Sequence, residues 1–210
     1  MAVSVLLGNI FDGGVDLTVL PCSSKPSISK FVRNWIELFR LANPEKFRYP
    51  LEHGGISKIY AFRHHSHKTK FYVYGASVLN DHSTPDHVFK IAKLIGQATQ
   101  DREDIRNIEC PLLGTGAGPL TNIESVTALS SGFSESAHAD ARLIIYTPNS
   151  NTHDEIKKAL NTSKIEAIAE RVKLTPSLFG VGIDLNKEKM RIAKALSKIT
   201  FSTKPKSSGD

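Results

Sequence analysis

The sequence predicts an α/β fold: a three-layer α/β/α sheet over about residues 1–160, followed by a basic helical C-terminal extension over residues 161–210. Three observations carry that expectation. Short apolar runs rich in β-branched residues and Leu alternate with stretches of helical periodicity. Capping-box patterns follow the strands where helices should start. Charge is distributed unevenly: from Lys164 onward lie ten of the 27 Lys/Arg but only five of the 21 Asp/Glu.

The elements follow in order. Residues 2–7 and 17–20 are apolar runs separated by Asp12-Gly13-Gly14, a turn signal. Residues 29–41 place Phe31, Val32, Trp35, Ile36, Leu38 and Phe39 at helical spacing, and Asn43-Pro44 should end that helix. Residues 58–63 and 70–74 read as a hairpin around His64-His65-Ser66-His67. Residues 85–99 form a second amphipathic helix. A strand over residues 107–113 runs into Gly114-Thr115-Gly116-Ala117-Gly118, and Thr121-Asn122-Ile123-Glu124 caps a third helix. Residues 141–146 form another strand. Thr152–Glu155 and Ser163–Glu166 repeat the capping pattern, and residues 178–183 are a short apolar passage. The last helix should span residues 186–199, with Met190, Ala193, Leu196 and Ile199 as its apolar stripe and a polar tail beyond. The natural boundary lies near residues 149–152, where strands give way to helix-only, basic sequence.

An apolar share of 40% and a charged share of 23% suit a soluble protein with a real core. No apolar run approaches the 18 or so residues that a membrane helix needs, so no membrane association is expected. Cys22 and Cys110, the two cysteines, are too few for a disulfide framework and read as buried thiols in a reducing cytoplasm. The net charge of +6 is modest, and a solvated helix face accounts for the basic extension better than nucleic-acid binding does. The extension's apolar stripe should dock on the protein's own body, with a partner protein or a second copy as the sharper alternative.

Strand, glycine loop and capped helix together put backbone N–H groups and the positive end of a helix dipole at one point. That arrangement suits a phosphate or pyrophosphate, and the alternative is a tight turn with no ligand. A P-loop would need Lys-Ser/Thr after its last glycine, and a dinucleotide fingerprint would need Gly-x-Gly-x-x-Gly plus a later acid. Neither pattern is present.

The order of pieces resembles the macro domain. That family has a first strand ending in Gly-Asp-Ile, a second of the type Val-Asp-Ala-Ile-Val-Asn-Ala-Ala-Asn, and a late strand leading into a Gly-x-Gly-x-Gly loop, a helix and a final strand. Here the corresponding pieces are Gly8-Asn9-Ile10, Val15-Asp16-Leu17-Thr18-Val19-Leu20-Pro21-Cys22-Ser23, Gly114–Gly118 and the strand ending at Tyr146. The resemblance implies a macro-like sheet that binds ADP-ribose or a related NAD-derived nucleotide. It implies diphosphate contacts from Gly114, Thr115, Gly116, Ala117 and Gly118, adenine contacts from Asn9 and Ile10, and distal-ribose contacts from Ser23 and Ser24. It also allows a role as a sensor of a nucleotide signal in bacterial defence.

This chain departs from the pattern at several points. Asn9 replaces the family Asp, Ser23 replaces the ribose-binding Asn, and Lys25-Pro26-Ser27-Ile28 stands where a Gly-Gly-Gly-Val loop is usual. Gly118 occupies the place of an acid used by some hydrolytic relatives. The departures favour a binder with no catalytic residue, no cofactor and no metal. An ADP-ribosyl hydrolase and an interaction protein acting through its basic helices are the alternatives.

Other residues read more plainly. The His64–His67 cluster is a polar hairpin tip before it is a metal site. His53-Gly54-Gly55 is a turn before it is a second ligand loop. Cys110 and Trp35 are core, and Asp81-His82 could line a cleft at the strand ends.

Overall fold

A computed structural model describes residues 1–11, 14–25, 27–64, 68–161 and 185–202. Seven strands form one sheet: β1 Ala2–Leu7, β2 Leu17–Ser23, β3 Tyr60–Ala61, β4 Phe71–Val78, β5 Asn107–Pro111, β6 Arg142–Thr147 and β7 Ile199–Ser202. Their spatial order is β3-β4-β2-β5-β6-β1-β7. Every pairing is parallel except β3 with β4. The helices are α1 Lys30–Phe39, α2 Pro85–Asp101, α3 Asn122–Ser136, α4 Ser150–Asn161 and α5 Leu185–Leu196.

A parallel sheet buries both faces, and strand alternation sorts the side chains between them. Val3, Val5, Leu17, Val19, Val73, Ile108, Cys110, Leu143 and Ile145 face a cluster completed by α2, α3 and α5. Leu6, Leu20, Cys22, Tyr72, Tyr74 and Tyr146 face the opposite side, where Val32 and Ile36 of α1 cover them. The three layers expected from the sequence are present.

Buried carboxylates pin the strand register. Asp16, just before β2, accepts the main-chain N–H groups of Arg106 and Asn107 at 3.0 and 2.8 Å and pairs with Lys70 at 2.7 Å. Burial pushes its carboxyl up, but Lys70 and those two N–H groups together hold it below the ordinary value. Glu109, fully buried on β5, accepts Thr18 Oγ1 at 2.6 Å and the Phe11 N–H at 2.9 Å.

Several boundaries differ from the sequence expectation. Helix α1 stops at Arg40, whose left-handed φ of 52° closes it before the proline; Pro44 opens a separate 3-10 turn. Helix α4 starts at Ser150, because the Asn149 side chain takes the Thr152 N–H at 2.9 Å one turn before the expected cap. The capping box at Thr121 forms as expected.

The chain does not end in helices alone. After α5 it returns as edge strand β7, paired with β1 from Val3 to Leu6. Among the described side chains of α5, Ile192, Ala195 and Leu196 are buried, whereas Met190 is 72% exposed. The actual stripe follows i, i+3, i+4 spacing, which keeps one face toward the sheet; strict three-residue steps drift around the helix. The expected caps and apolar passage between residues 163 and 183 lie outside the described residues. Among the described residues, no helix is long and apolar enough to cross a membrane.

Candidate functional site

Because the strands from β4 across to β1 run parallel, their C-terminal ends meet on one edge of the sheet. A pocket of about 620 Å³ opens there, within the range typical of small-molecule sites. Its floor is the ends of four strands and the residues just beyond them: Pro21–Ser23, Ser77–Val78, Pro111–Leu112 and Tyr146 with Pro148. Gly8, Asn9 and Ile10 form one side, Ser27, Ile28 and Ser29 lead into α1, and Gly114–Ala117 form the opposing rim.

The glycine loop has two distinct halves. Gly114, at φ +77°, turns the chain off β5; a Cβ there would collide with Ser83 Oγ. The loop closes through the Leu120 N–H to the Gly114 carbonyl at 3.3 Å and Thr115 Oγ1 to the Leu112 carbonyl at 3.3 Å. Among the described residues, the main-chain N–H groups of Thr115, Gly116, Ala117 and Gly118 donate to no protein acceptor. A Cβ on Gly116 would meet nothing within 4 Å. Gly118 differs: its Cβ would sit 2.5 Å from the Gly114 carbonyl oxygen and 2.7 Å from Ser83 Cβ. Gly118 is therefore a close-packing position, and it is not among the residues that line the pocket.

The other expected residues divide in the same way. Asn9, Ile10 and Ser23 line the pocket. Ser24 does not: it is buried, and both its N–H and its hydroxyl turn back to the Val78 carbonyl, at 2.8 and 3.3 Å. The register shift between Cys22 and Ser23 against β4 accompanies this turn. The segment Lys25–Ser29 supplies a second rim: Ser29 caps α1 by accepting the Val32 N–H, so the positive end of α1 also faces the pocket.

Trp35 packs against the core cluster beneath α1, as expected, and has a second role. It is half-buried and lines the pocket, with Phe31 beside it at 4.1 Å between ring centroids. A signal was available: α1 carries apolar residues around more than one face, and only Val32 and Ile36 fit beneath it. Asn80 and Asp81 also line the pocket, both at positive φ (50° and 60°) in a tight turn closed by Leu79 and His82. Positive φ at both central positions suits Asn and Asp and is the hallmark of a two-residue hairpin turn. His82 itself lies outside the lining.

The remaining candidates take structural roles. Gly54 and Gly55 hydrogen-bond to Ala76 along β4, and His53 stacks on His87 at 3.5 Å, away from the pocket. His64 meets Phe39 edge-on at 5.3 Å, and residues 65–67 lie outside the described residues. The ionisable side chains in the described wall are Cys22, Lys25, Asp81 and Tyr146. Burial pushes the Cys22 thiol up to about 12, so it stays protonated at neutral pH and is a poor nucleophile. Cys110 is fully buried and raised further, again by burial first.

No family model and no curated protein matches this chain by sequence. Solved structures do match. A point mutant of the Oceanobacillus iheyensis macrodomain, solved with ADPR, superposes with a TM-score of 0.59 at 10% identity, covering 74% of this chain and 90% of that one. The Trypanosoma brucei macrodomain in complex with ADP-ribose gives 0.58 at 14% identity, covering 76% and 69%. The macrodomain of Thermus aquaticus DarG gives 0.55 at 19% identity, covering 70% and 98%. The chain has the macrodomain fold.

Proposed function

We propose that this protein is a binding module for ADP-ribose or a related NAD-derived nucleotide. The observation that carries this reading is the run of N–H groups from Thr115 to Ala117, without protein acceptors among the described residues, at the rim of a ligand-sized pocket. Such a row of amides is a diphosphate receptor, and the N-terminus of α1 on the facing side adds a favourable dipole. Neighbours of the same fold solved with ADPR and ADP-ribose support the choice of ligand.

In this reading the diphosphate lies along Gly114, Thr115, Gly116 and Ala117, with Gly118 shaping the loop from behind. The base lies at Asn9 and Ile10. The distal ribose lies toward Ser23, with Ser24 holding that corner through Val78. A serine hydroxyl reaches less far than the family's Asn amide, which leaves space for a substituted ribose and suits a sensor of a modified nucleotide signal.

Binding without hydrolysis fits Cys22 and the glycine loop, and Asp81 is the carboxylate in the wall that the turnover assay below tests. Cys22 is a protonated thiol at neutral pH, and Gly118 leaves no carboxylate at the loop position where hydrolytic relatives hold one. Calorimetry with ADP-ribose, NAD, ADP and cyclic relatives tests the proposal. It expects binding of at least one of these and no release of ADP-ribose from a modified protein or DNA. Turnover of such a substrate would overturn the binder assignment, and absence of binding to the whole series would overturn the nucleotide assignment.

A further inference from the structure

Phe31 and Trp35 both line the wall of the pocket. Phe31 is 55% exposed, a placement that gives up the burial stabilisation of a large apolar side chain. The two rings lie 4.1 Å apart at 59°. Behind them Phe11, only 8% exposed, meets Trp35 edge-on at 5.4 Å and 81°. Phe11 is fixed in turn by the Glu109 carboxylate on its N–H and by Phe39 at 4.8 Å. The three rings therefore run from the buried corner next to Ile10 out to the rim, and the outer two sit one helical turn apart on α1. The edge-on contact with Phe11 orients Trp35 before any ligand arrives.

We propose that Phe31 and Trp35 are a stacking platform for the base of the bound nucleotide, and that the site accepts 6-oxo purines as well as adenine. This rests on the nucleotide reading above. Two physical points lead to relaxed base selectivity. Stacking uses the π-face, which every base presents, and is insensitive to the pattern of donors and acceptors at the base edge. Asn9 adds a carboxamide, which carries both N–H donors and a carbonyl acceptor. A carboxylate at that position would accept from the adenine amino group but oppose the carbonyl of hypoxanthine or guanine.

Trp35 is the one tryptophan in the chain, so its emission reports on this wall alone. Titration with ADP-ribose, its hypoxanthine counterpart inosine diphosphate ribose, and inorganic pyrophosphate tests the proposal. Both nucleotides should change the Trp35 emission, with dissociation constants within about tenfold of each other. Pyrophosphate should leave the emission unchanged. Phe31→Ala, at an exposed position, should keep the wild-type melting temperature and weaken both nucleotides about 10- to 100-fold. Trp35→Leu, read by calorimetry, should do the same. ADP-ribose binding with no change in emission would overturn the platform while leaving the nucleotide reading intact. So would tight ADP-ribose binding with the hypoxanthine form more than about 100-fold weaker. Failure of every nucleotide to bind would remove both proposals.

Discussion

Glu109 Oε1 accepts the main-chain N–H of Phe11 at 2.9 Å, tying the middle of β5 to the corner after β1 across 98 residues of sequence. Phe11 sits at φ +76°, where a bulky residue is strained, by about 1–3 kcal/mol. The buried carboxylate and the surrounding rings hold it there. The corner they hold carries Asn9 and Ile10 into the pocket and backs Trp35, so a contact remote from the glycine loop shapes the opposite wall of the same site.

Glu109→Leu should therefore act on both stability and binding. It strips an acceptor from two buried donors, the Phe11 N–H and Thr18 Oγ1, each costing about 1–3 kcal/mol when left unpaired. Urea unfolding should show that loss, and the folded fraction should bind ADP-ribose more weakly. Glu109→Gln keeps an acceptor oxygen and should fall closer to wild type.

The glycine loop gives an opposed pair of variants. Gly116 faces open space, so Gly116→Glu should fold with an unchanged melting temperature and lose ADP-ribose binding through like charge and bulk at the diphosphate. Gly118→Ala adds one methyl 2.5 Å from the Gly114 carbonyl oxygen, so it should destabilise the loop, by about 1–3 kcal/mol. Unchanged affinity in folded Gly116→Glu would reject the diphosphate assignment. Wild-type stability of Gly118→Ala would reject the packing role.

Acid sensitivity should track Asp16. Its carboxyl titrates below the ordinary value in the folded protein, despite burial, because Lys70 and two N–H groups favour the charged form. A depressed folded pKa means the stabilisation is complete above the unfolded pKa, about 3.9, and fades as pH falls through the folded one. Asp16→Asn should be less stable than wild type at pH 7, and the gap in denaturant midpoint should narrow below about pH 4. Lys70 is mostly exposed, so Lys70→Met should cost only about 1 kcal/mol or less.

The C-terminal segment should behave as part of the core. Leu196, 2% exposed against the main apolar cluster, should cost about 2–5 kcal/mol when changed to Ala. Met190→Ala, at a largely exposed site, should stay within about 0.5 kcal/mol. Equal melting temperatures for the two variants would show that α5 contributes nothing to the stability of the sheet.

Much of the fold was legible because it is written locally. The strands β1 and β6, the length of α2 and the capping box at Thr121 each depend on residues within a few positions of one another. The loop at Gly114–Gly118 was equally visible, since clustered glycines mark backbone that must turn sharply or approach something closely. Strand β7 was missed because Ile199–Ser202 is a four-residue strand directly after a helix, and its pairing partner among the described residues is 196 residues away in sequence, Val3 with Ile199. The place of Trp35 in the pocket wall was missed because helical spacing says which residues share a face and not everything that face meets.

The sequence by itself determined the alternation of strands and helices, the glycine corner and the absence of an acid within it, since these follow from residue identity and short-range spacing. Tertiary structure alone decided which glycines face the pocket and which pack against their own loop, that Ser24 turns away while Ser23 does not, and that Phe31 and Trp35 form a wall. Those outcomes depend on which backbone atoms arrive within 3 Å of one another from opposite ends of the chain. A one-dimensional pattern carries no such distance.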